Sequence, residues 1–146
     1  MKSEPALPID DADGSIAALR MLALIEQCVR ARAYDAVRPL IAADGEFFGS
    51  FEPVMHGFDE LRERQFMQVW PRIGQFTIPP ESIRVGAAGD LAWASNCFRT
   101  SGTDASGATL HREGRMTWIF ERRAGSWVIV HSHDSLSPTR VLGSAP

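Results

Sequence analysis

The spacing of apolar residues changes from helical to strand-like about halfway along the chain. In the first half they recur every three or four residues, which predicts three helices at residues 14–32, 35–42 and 59–70. In the second half they tend to alternate with polar residues between glycine-containing turns. Strands are therefore predicted at residues 46–51, 76–85, 91–100, 109–121 and 127–136.

Helices followed by a run of antiparallel strands indicate the α+β fold class. A twisted sheet of this size would curl around the long first helix and leave a cavity at its open, wide end. The 146 residues fit a single domain. We predict that it spans residues 14–138, after a flexible lead-in at 1–13 and before a loose tail at 139–146.

Composition narrows the range of partners. The formal net charge is −3, so the chain has no basic excess with which to bind nucleic acid phosphates. The longest apolar runs are too short to span a bilayer, and the first residues lack the apolar stretch of a signal peptide. Cys28 and Cys97 lie in apolar company and are expected to be buried, reduced thiols. A cytoplasmic protein without nucleic acid or membrane partners is therefore expected.

The last predicted hairpin carries the most specific motif. Between Gly114 and Ser135 the chain has Arg-x-Thr, a turn with Gly125 and Trp127, and then His-x-His-x-Ser. This segment resembles the closing hairpin of SnoaL-like and ketosteroid-isomerase-like proteins, members of the nuclear-transport-factor-2-like (NTF2-like) superfamily. It is also similar to the association domain of calcium/calmodulin-dependent protein kinase. The resemblance implies an NTF2-like cone, in which three N-terminal helices pack in a curved, mostly antiparallel sheet.

The register of this hairpin decides which side chains face the cavity. If a bulge follows the Ala-Gly turn, Trp118 lies across from Val130, and Asp134 shares a face with Trp118 and Phe120. A two-residue turn without the bulge would exchange the faces. In the kinase association domain, cavity arginines match Trp118 and Asp134, so the resemblance implies that the Asp134 face lines the cavity. The opposite face would then carry Arg115, Thr117, Ile119, Trp127, Ile129, His131 and His133.

Asp134 is the predicted catalytic residue. Near Met116, Trp118 and Phe98 its carboxylate would be poorly solvated, which raises the pKa and suits the group to proton transfer at neutral pH. The resemblance implies the same role, because SnoaL-like cyclases use a cavity aspartate as acid and base. The alternative is that Asp134 pairs with an arginine or lies at the cavity rim. The predicted substrate-binding residues are Phe48, Asn96, Phe98, Met116, Trp118, Phe120 and Ser132.

Two other chemistries have weaker support. Ketosteroid isomerases use a base near the position of Phe48 and a tyrosine in the first helix. Here no acid matches that position, and the single tyrosine, Tyr34, follows the helix. His131 and His133 point the same way on a strand, and with His111 they would form a metal site, although hydrogen bonding to neighbours is the favoured alternative. We therefore predict no metal and no cofactor.

These observations support two hypotheses of function. The first is a SnoaL-like enzyme of the isomerase, cyclase or dehydratase type, in which Asp134 transfers a proton on a mostly apolar small molecule. The second is a non-catalytic module that binds a small ligand or assembles as a dimer. Both predict a homodimer, because an outer sheet face with Trp127, Ile129 and Trp93 would be too apolar to remain in water.

Overall fold

The structure, a computed structural model, describes residues 8–138 with the exception of residue 104. Its longest helix, α1 (Gly14–Ala31), begins where the Asp13 side chain accepts a hydrogen bond of 2.8 Å from the backbone N–H of Ser15. The helix ends at Arg32, which adopts a left-handed conformation with φ of 52°. The first predicted helix is thus present with the predicted ends.

The second helical region is continuous along the chain but changes its winding. It consists of α2 (Gly57–Leu61), a π-helical turn (Arg62–Phe66), α3 (Met67–Val69) and a 3-10 turn (Trp70–Arg72). At the end of the π-helical turn the Met67 N–H donates to the Arg62 carbonyl, so the side chains here are rotated relative to those of an α-helix. The helix predicted at residues 59–70 is therefore present with this interruption.

The helix predicted at residues 35–42 is not formed. A 3-10 turn at Arg38–Leu40 takes its place, and the first strand begins at the next residue, Ile41. Pro39 has no N–H with which to continue a helix, and Ile41 is already paired with Ile129 of the last strand. Strand pairing with a distant part of the chain therefore overrides the local helical pattern.

Seven strands form one curved, mixed sheet. They are β1 (Ile41–Phe48), β2 (Met55–His56), β3 (Ile73–Thr77), β4 (Arg84–Ala88), β5 (Leu91–Thr103), β6 (Thr109–Arg123) and β7 (Ser126–Leu136). Their order is β2-β1-β7-β6-β5-β3, and β4 also pairs with β5. Only β1 and β7 are parallel, which agrees with the predicted α+β class. The single strand predicted at 76–85 is two strands, because the 3-10 turn Pro80–Ser82 separates β3 from β4.

A two-residue turn connects β6 and β7, and the bulge of this hairpin lies several residues away from the turn. Ala124 and Gly125 both have positive φ, 48° and 83°, which suits a tight hairpin turn without a bulge. The register shifts instead between Ile119 and Phe120, and this shift leaves Val130 as the extra residue of β7.

Beyond this bulge, each β6 residue pairs with a β7 residue two positions later than predicted. Asp134 nevertheless lies on the predicted face. Trp118 lies opposite Ser132 instead of Val130. On the turn side of the bulge the alternation of side chains is reversed, so Trp127 and Ile129 point inward. Each is 1% exposed, and their predicted position on the outer face is therefore wrong.

Helix α1 packs on one side of the curved sheet. Its buried side carries Ala17, Ala18 and Met21, and the helix contacts β3, β4 and β5. Within the described residues, no helix is both long enough and apolar enough to cross a membrane. Of the two free thiols, Cys28 is buried as expected, whereas Cys97 is exposed because it points to the outer side of β5.

The residues just before α1 also pack on the domain. Ile9 is 1% exposed, and its carbonyl accepts a hydrogen bond of 2.8 Å from the backbone N–H of Trp127. The indole N–H of Trp127 donates to the Asp11 carbonyl at 2.8 Å. Ile9 and Asp11, which belong to the lead-in predicted at residues 1–13, thus contact the last strand. The tail predicted at 139–146 lies outside the described residues.

Ile9→Ala should lower the free energy of unfolding by about 2–4 kcal/mol, because it removes a buried side chain and leaves a cavity. Ile16→Ala is the matched control, since Ile16 is 49% exposed on α1. Its loss should cost less than about 1 kcal/mol. Urea unfolding of the variants measures both values, and equal effects would mean that the segment before α1 does not contribute to the core.

Candidate active site

A cavity of about 110 Å³ lies between α1, the second helical region and the sheet. Its walls are mostly apolar and include Phe47, Phe66, Trp70, Phe98, Met116 and Trp118. The polar side chains at its surface are Ser50, Gln65, Thr100, Arg112, Ser132 and Asp134. Apolar walls with a few polar groups are typical of a site for a small molecule.

The inward-facing row of β6 shapes this cavity. Gly114 lies opposite Phe98, and a β-carbon at this position would clash with the Phe98 ring and approach the Ser135 carbonyl oxygen to 2.6 Å. The missing side chain therefore makes room for the phenyl ring. Further along the row, Trp118 lines the cavity, and its indole N–H donates to Asn96 Oδ1 at 2.8 Å. Asn96 thus holds the Trp118 ring in place.

Asp134 projects from β7 opposite Met116 and lines the same cavity. Its Oδ1 atom is shielded from solvent and has no hydrogen-bond partner, and no arginine of the described residues pairs with the carboxylate. Burial raises the pKa of Asp134 from 3.8 to about 7, because water no longer solvates the charge. Although the residue as a whole is half-buried, it is the enclosure of the carboxyl group that governs this ionisation.

Gln65 is one of the polar cavity residues that the sequence pattern misses. It is 6% exposed, and its Oε1 atom has no hydrogen-bond partner. Helical spacing places the neighbouring Glu63 and Arg64 on a solvated face, and nothing in the pattern separates Gln65 from them. The wider winding of the π-helical turn brings Gln65 to the inner side. In the part of the chain that the structure describes, the cavity wall thus carries two unpartnered acceptor atoms, which a bound donor group would satisfy.

Several of the residues predicted for the site line the cavity, and others lie outside it and contact a lining residue. Those at the cavity surface are Phe98, Met116, Trp118, Ser132 and Asp134. Asn96 lies behind Trp118 and is occupied by its hydrogen bond to the indole. Phe120 is fully buried and stacks on the Trp118 ring at a centroid distance of 6.4 Å. Neither Asn96 nor Phe120 is at the cavity surface.

Phe48 lies on the outer face of the sheet, away from the cavity. Its ring is 4.8 Å from that of His131 and 5.3 Å from that of His133. Phe47 lines the cavity instead, because successive residues of a strand point to opposite faces. On the outer face His131 Nδ1 is 2.7 Å from the Glu46 carbonyl. Among the described residues, no group of three or more His, Cys, Asp or Glu is placed to hold a metal ion.

The fold is shared with solved structures of low sequence identity. An NTF2-like superfamily protein of Salmonella enterica superimposes with a TM-score of 0.74 at 14% identity, covering 90% of this chain and 96% of that chain. A candidate calcium/calmodulin-dependent protein kinase II association domain of Xanthomonas campestris gives 0.72 at 18% identity, covering 96% and 99%. A candidate dehydratase of Streptomyces avermitilis gives 0.71 at 14% identity, covering 86% and 97%. The chain therefore has the NTF2-like fold.

The sequence itself identifies the family. The profile of the SnoaL-like domain matches residues 20–139, which is most of the chain. The chain therefore belongs to the SnoaL-like domain family, and the resemblance carried by its closing hairpin is confirmed. No curated protein matches the sequence closely enough to count as a relative.

Asp134→Asn should change the way in which stability depends on pH. The unfolded chain releases the Asp134 proton near pH 3.8, whereas the folded protein keeps it up to about pH 7. The wild type is therefore progressively destabilised by this group as the pH rises through that window. Between about pH 5 and pH 8 it should lose roughly 3 kcal/mol of unfolding free energy relative to the variant. Urea unfolding over a pH series measures this, and parallel curves would contradict the raised pKa.

Proposed function

We propose that the protein is a SnoaL-like enzyme of the isomerase or dehydratase type, which transfers a proton on a small, mostly apolar substrate. The observation that carries this proposal is the enclosed Asp134 carboxyl at an apolar cavity, with a pKa of about 7 caused by burial. A carboxyl with this pKa is partly ionised at neutral pH, so it can accept a proton from one atom and return it to another. An unpartnered buried carboxyl is costly for a fold, and this cost favours a functional role.

The neighbouring side chains supply the other requirements of proton transfer. A substrate with an acidic C–H next to a carbonyl group would present that hydrogen to Asp134 and its carbon skeleton to Trp118 and Met116. Ser132, on the same face as Asp134 and 6% exposed, would donate a hydrogen bond to the carbonyl oxygen as negative charge develops there. The Gln65 amide would bind a second polar group of the substrate.

The protonated Asp134 carboxyl would then complete one of two reactions. If the substrate also has a carbon–carbon double bond next to the deprotonated carbon, Asp134 can return the proton to the far carbon of that bond, and the double bond moves into conjugation with the carbonyl group. If a hydroxyl group stands on the carbon next to the enolate, protonation of that hydroxyl releases water and completes a dehydration. A solved structure of the same fold is a candidate dehydratase, which supports this class of reaction.

The cavity volume limits the substrate that can react. A space of about 110 Å³ suits one small ring, because a cavity of roughly 150 Å³ holds benzene. A fused polycyclic substrate would exceed this volume. This limit agrees with the lack of a residue that matches the ketosteroid isomerase base.

The isomerisation of cyclohex-3-enone to its conjugated isomer tests the proposal, because it needs proton removal and proton return on one small ring. We expect the wild type to accelerate this reaction, with kcat/KM rising as the pH passes about 7, since the ionised carboxylate is the base. Asp134→Asn should lower the rate by about 100-fold or more, because an amide cannot accept the proton. The absorbance of the conjugated ketone follows the reaction.

Asp90→Asn is the matched control, because Asp90 is an exposed carboxylate in the turn between β4 and β5 and does not line the cavity. This variant should react at the rate of the wild type. Deuterium uptake from heavy water by a series of small cyclic ketones extends the test to substrates that exchange a proton without moving a double bond. An unchanged rate in Asp134→Asn would contradict the proposed role.

The second candidate function is a non-catalytic binding or assembly module. The similarity to a kinase association domain favours assembly. On the outer sheet face Trp93 and Ile119 lie opposite each other on β5 and β6 and are 49% and 39% exposed. We propose that this apolar pair contacts the partner in a homodimer. A dimer that is inert toward all the ketones above would favour this second function.

A further inference from the structure

A second, wider pocket adjoins the cavity at its mouth. Its volume is about 660 Å³, and it shares wall residues with the inner cavity. The shared residues are Phe51, Val69, Ile73, Thr100 and Arg112. We call this second pocket the vestibule. Because these residues line both spaces, the vestibule and the inner cavity are neighbours.

The vestibule carries an excess of positive charge. Its walls include Arg64, Arg72 and Arg112, and the one acid among its described wall residues is Glu52. Glu52 pairs with Arg64 at 2.6 Å. Arg72 and Arg112 are exposed and form no ion pair with a described residue. The vestibule therefore has two guanidinium groups that can bind an anion, although the net charge of the whole chain is −3.

The strand that shapes the cavity also positions Arg112. This residue continues the inward row of β6 beyond Met116 and Gly114 and lies opposite Thr100. At about 3.4 Å per residue, its Cα is roughly 14 Å from that of Met116, the residue opposite Asp134. Arg112 lines both the inner cavity and the vestibule, so it lies where the two pockets meet. A ligand with its ring near Asp134 and a chain of a few carbon atoms would extend toward this residue.

We propose that the vestibule binds the carboxylate of a substrate whose apolar ring occupies the inner cavity. This inference rests on the proposed function and names its substrate class: a cyclic compound with a short chain that ends in a carboxylate. Guanidinium groups suit this end, because they bind a carboxylate through two parallel N–H···O hydrogen bonds. Binding at Arg72 and Arg112 would also hold the negative charge away from Asp134, whose pKa a second carboxylate would raise further.

Two probes that differ only in charge test the vestibule: 4-phenylbutanoate and its neutral amide, 4-phenylbutanamide. Each has one ring for the cavity and a chain that reaches the mouth. Chemical-shift titration of the nitrogen-15-labelled full chain measures both Kd values. At low salt we expect the carboxylate to bind about tenfold more tightly, the effect of a charge-assisted contact partly screened by water. Added salt should reduce this difference.

The double variant Arg72→Gln/Arg112→Gln should lose the preference for the carboxylate and still bind the amide. Arg115→Gln is the matched control, because Arg115 is an exposed residue of the same strand that lines neither pocket. It should keep the tenfold preference. Equal Kd values in the wild type, no binding of either probe, or an unchanged preference in the double variant would overturn the proposal.

These results can be distinguished from a failure of the proposed function. Asp134→Asn should retain the preference for the carboxylate probe, because Asp134 takes no part in binding that group. If the preference exists and Asp134→Asn still catalyses proton transfer, the catalytic role is wrong and the vestibule remains a carboxylate site. If Asp134→Asn loses proton transfer and the wild type has no preference, the inference about the vestibule is wrong and the catalytic role remains.

Discussion

The position of one bulge in β7 determines which side chains the cone encloses. Because Val130 is left out of the pairing with β6, Trp127 and Ile129 on its turn side point inward, and so do Ser132 and Asp134 on its far side. The part of the strand near the turn therefore closes the core, and the far part lines the cavity. Without the bulge, strict alternation would turn one of these two sets toward solvent.

The enclosed carboxyl of Asp134 is costly for stability, and the surrounding described residues do not reduce that cost. Its Oδ1 atom has no hydrogen-bond partner, and burial alone accounts for its raised pKa. A carboxylate with a structural role normally has donors or cations around it. The absence of such groups among the described residues around Asp134 supports the proposed ligand site. The inward-facing residues of β6 run from Trp118 in the cavity wall, past Gly114, to Arg112, which lines both the cavity and the vestibule.

Much of this architecture can be predicted from the sequence, because regular elements are visible in the spacing of apolar residues. The first helix, the long strands and the face of Asp134 follow from that spacing and from the family resemblance. The predicted orientation of a side chain is wrong where the backbone is irregular. The bulge in β7 turns Trp127 inward, and the π-helical turn turns Gln65 inward. The short helix predicted at residues 35–42 is not formed because Pro39 cannot continue a helix and Ile41, near its end, pairs with Ile129 of β7. Arg72 and Arg112 are distant in sequence, and only the folded sheet brings them to one pocket.

The ionisation of Asp134 in the ligand-free protein is the most direct test of its central role. Carbon-13 NMR of the side-chain carboxyl, assigned by comparison with Asp134→Asn, gives the pKa of this single group. We predict a midpoint at about pH 7. A midpoint near 3.8 would mean that the carboxylate is well solvated or paired, and it would contradict the proposed role of Asp134 as an acid and base at neutral pH.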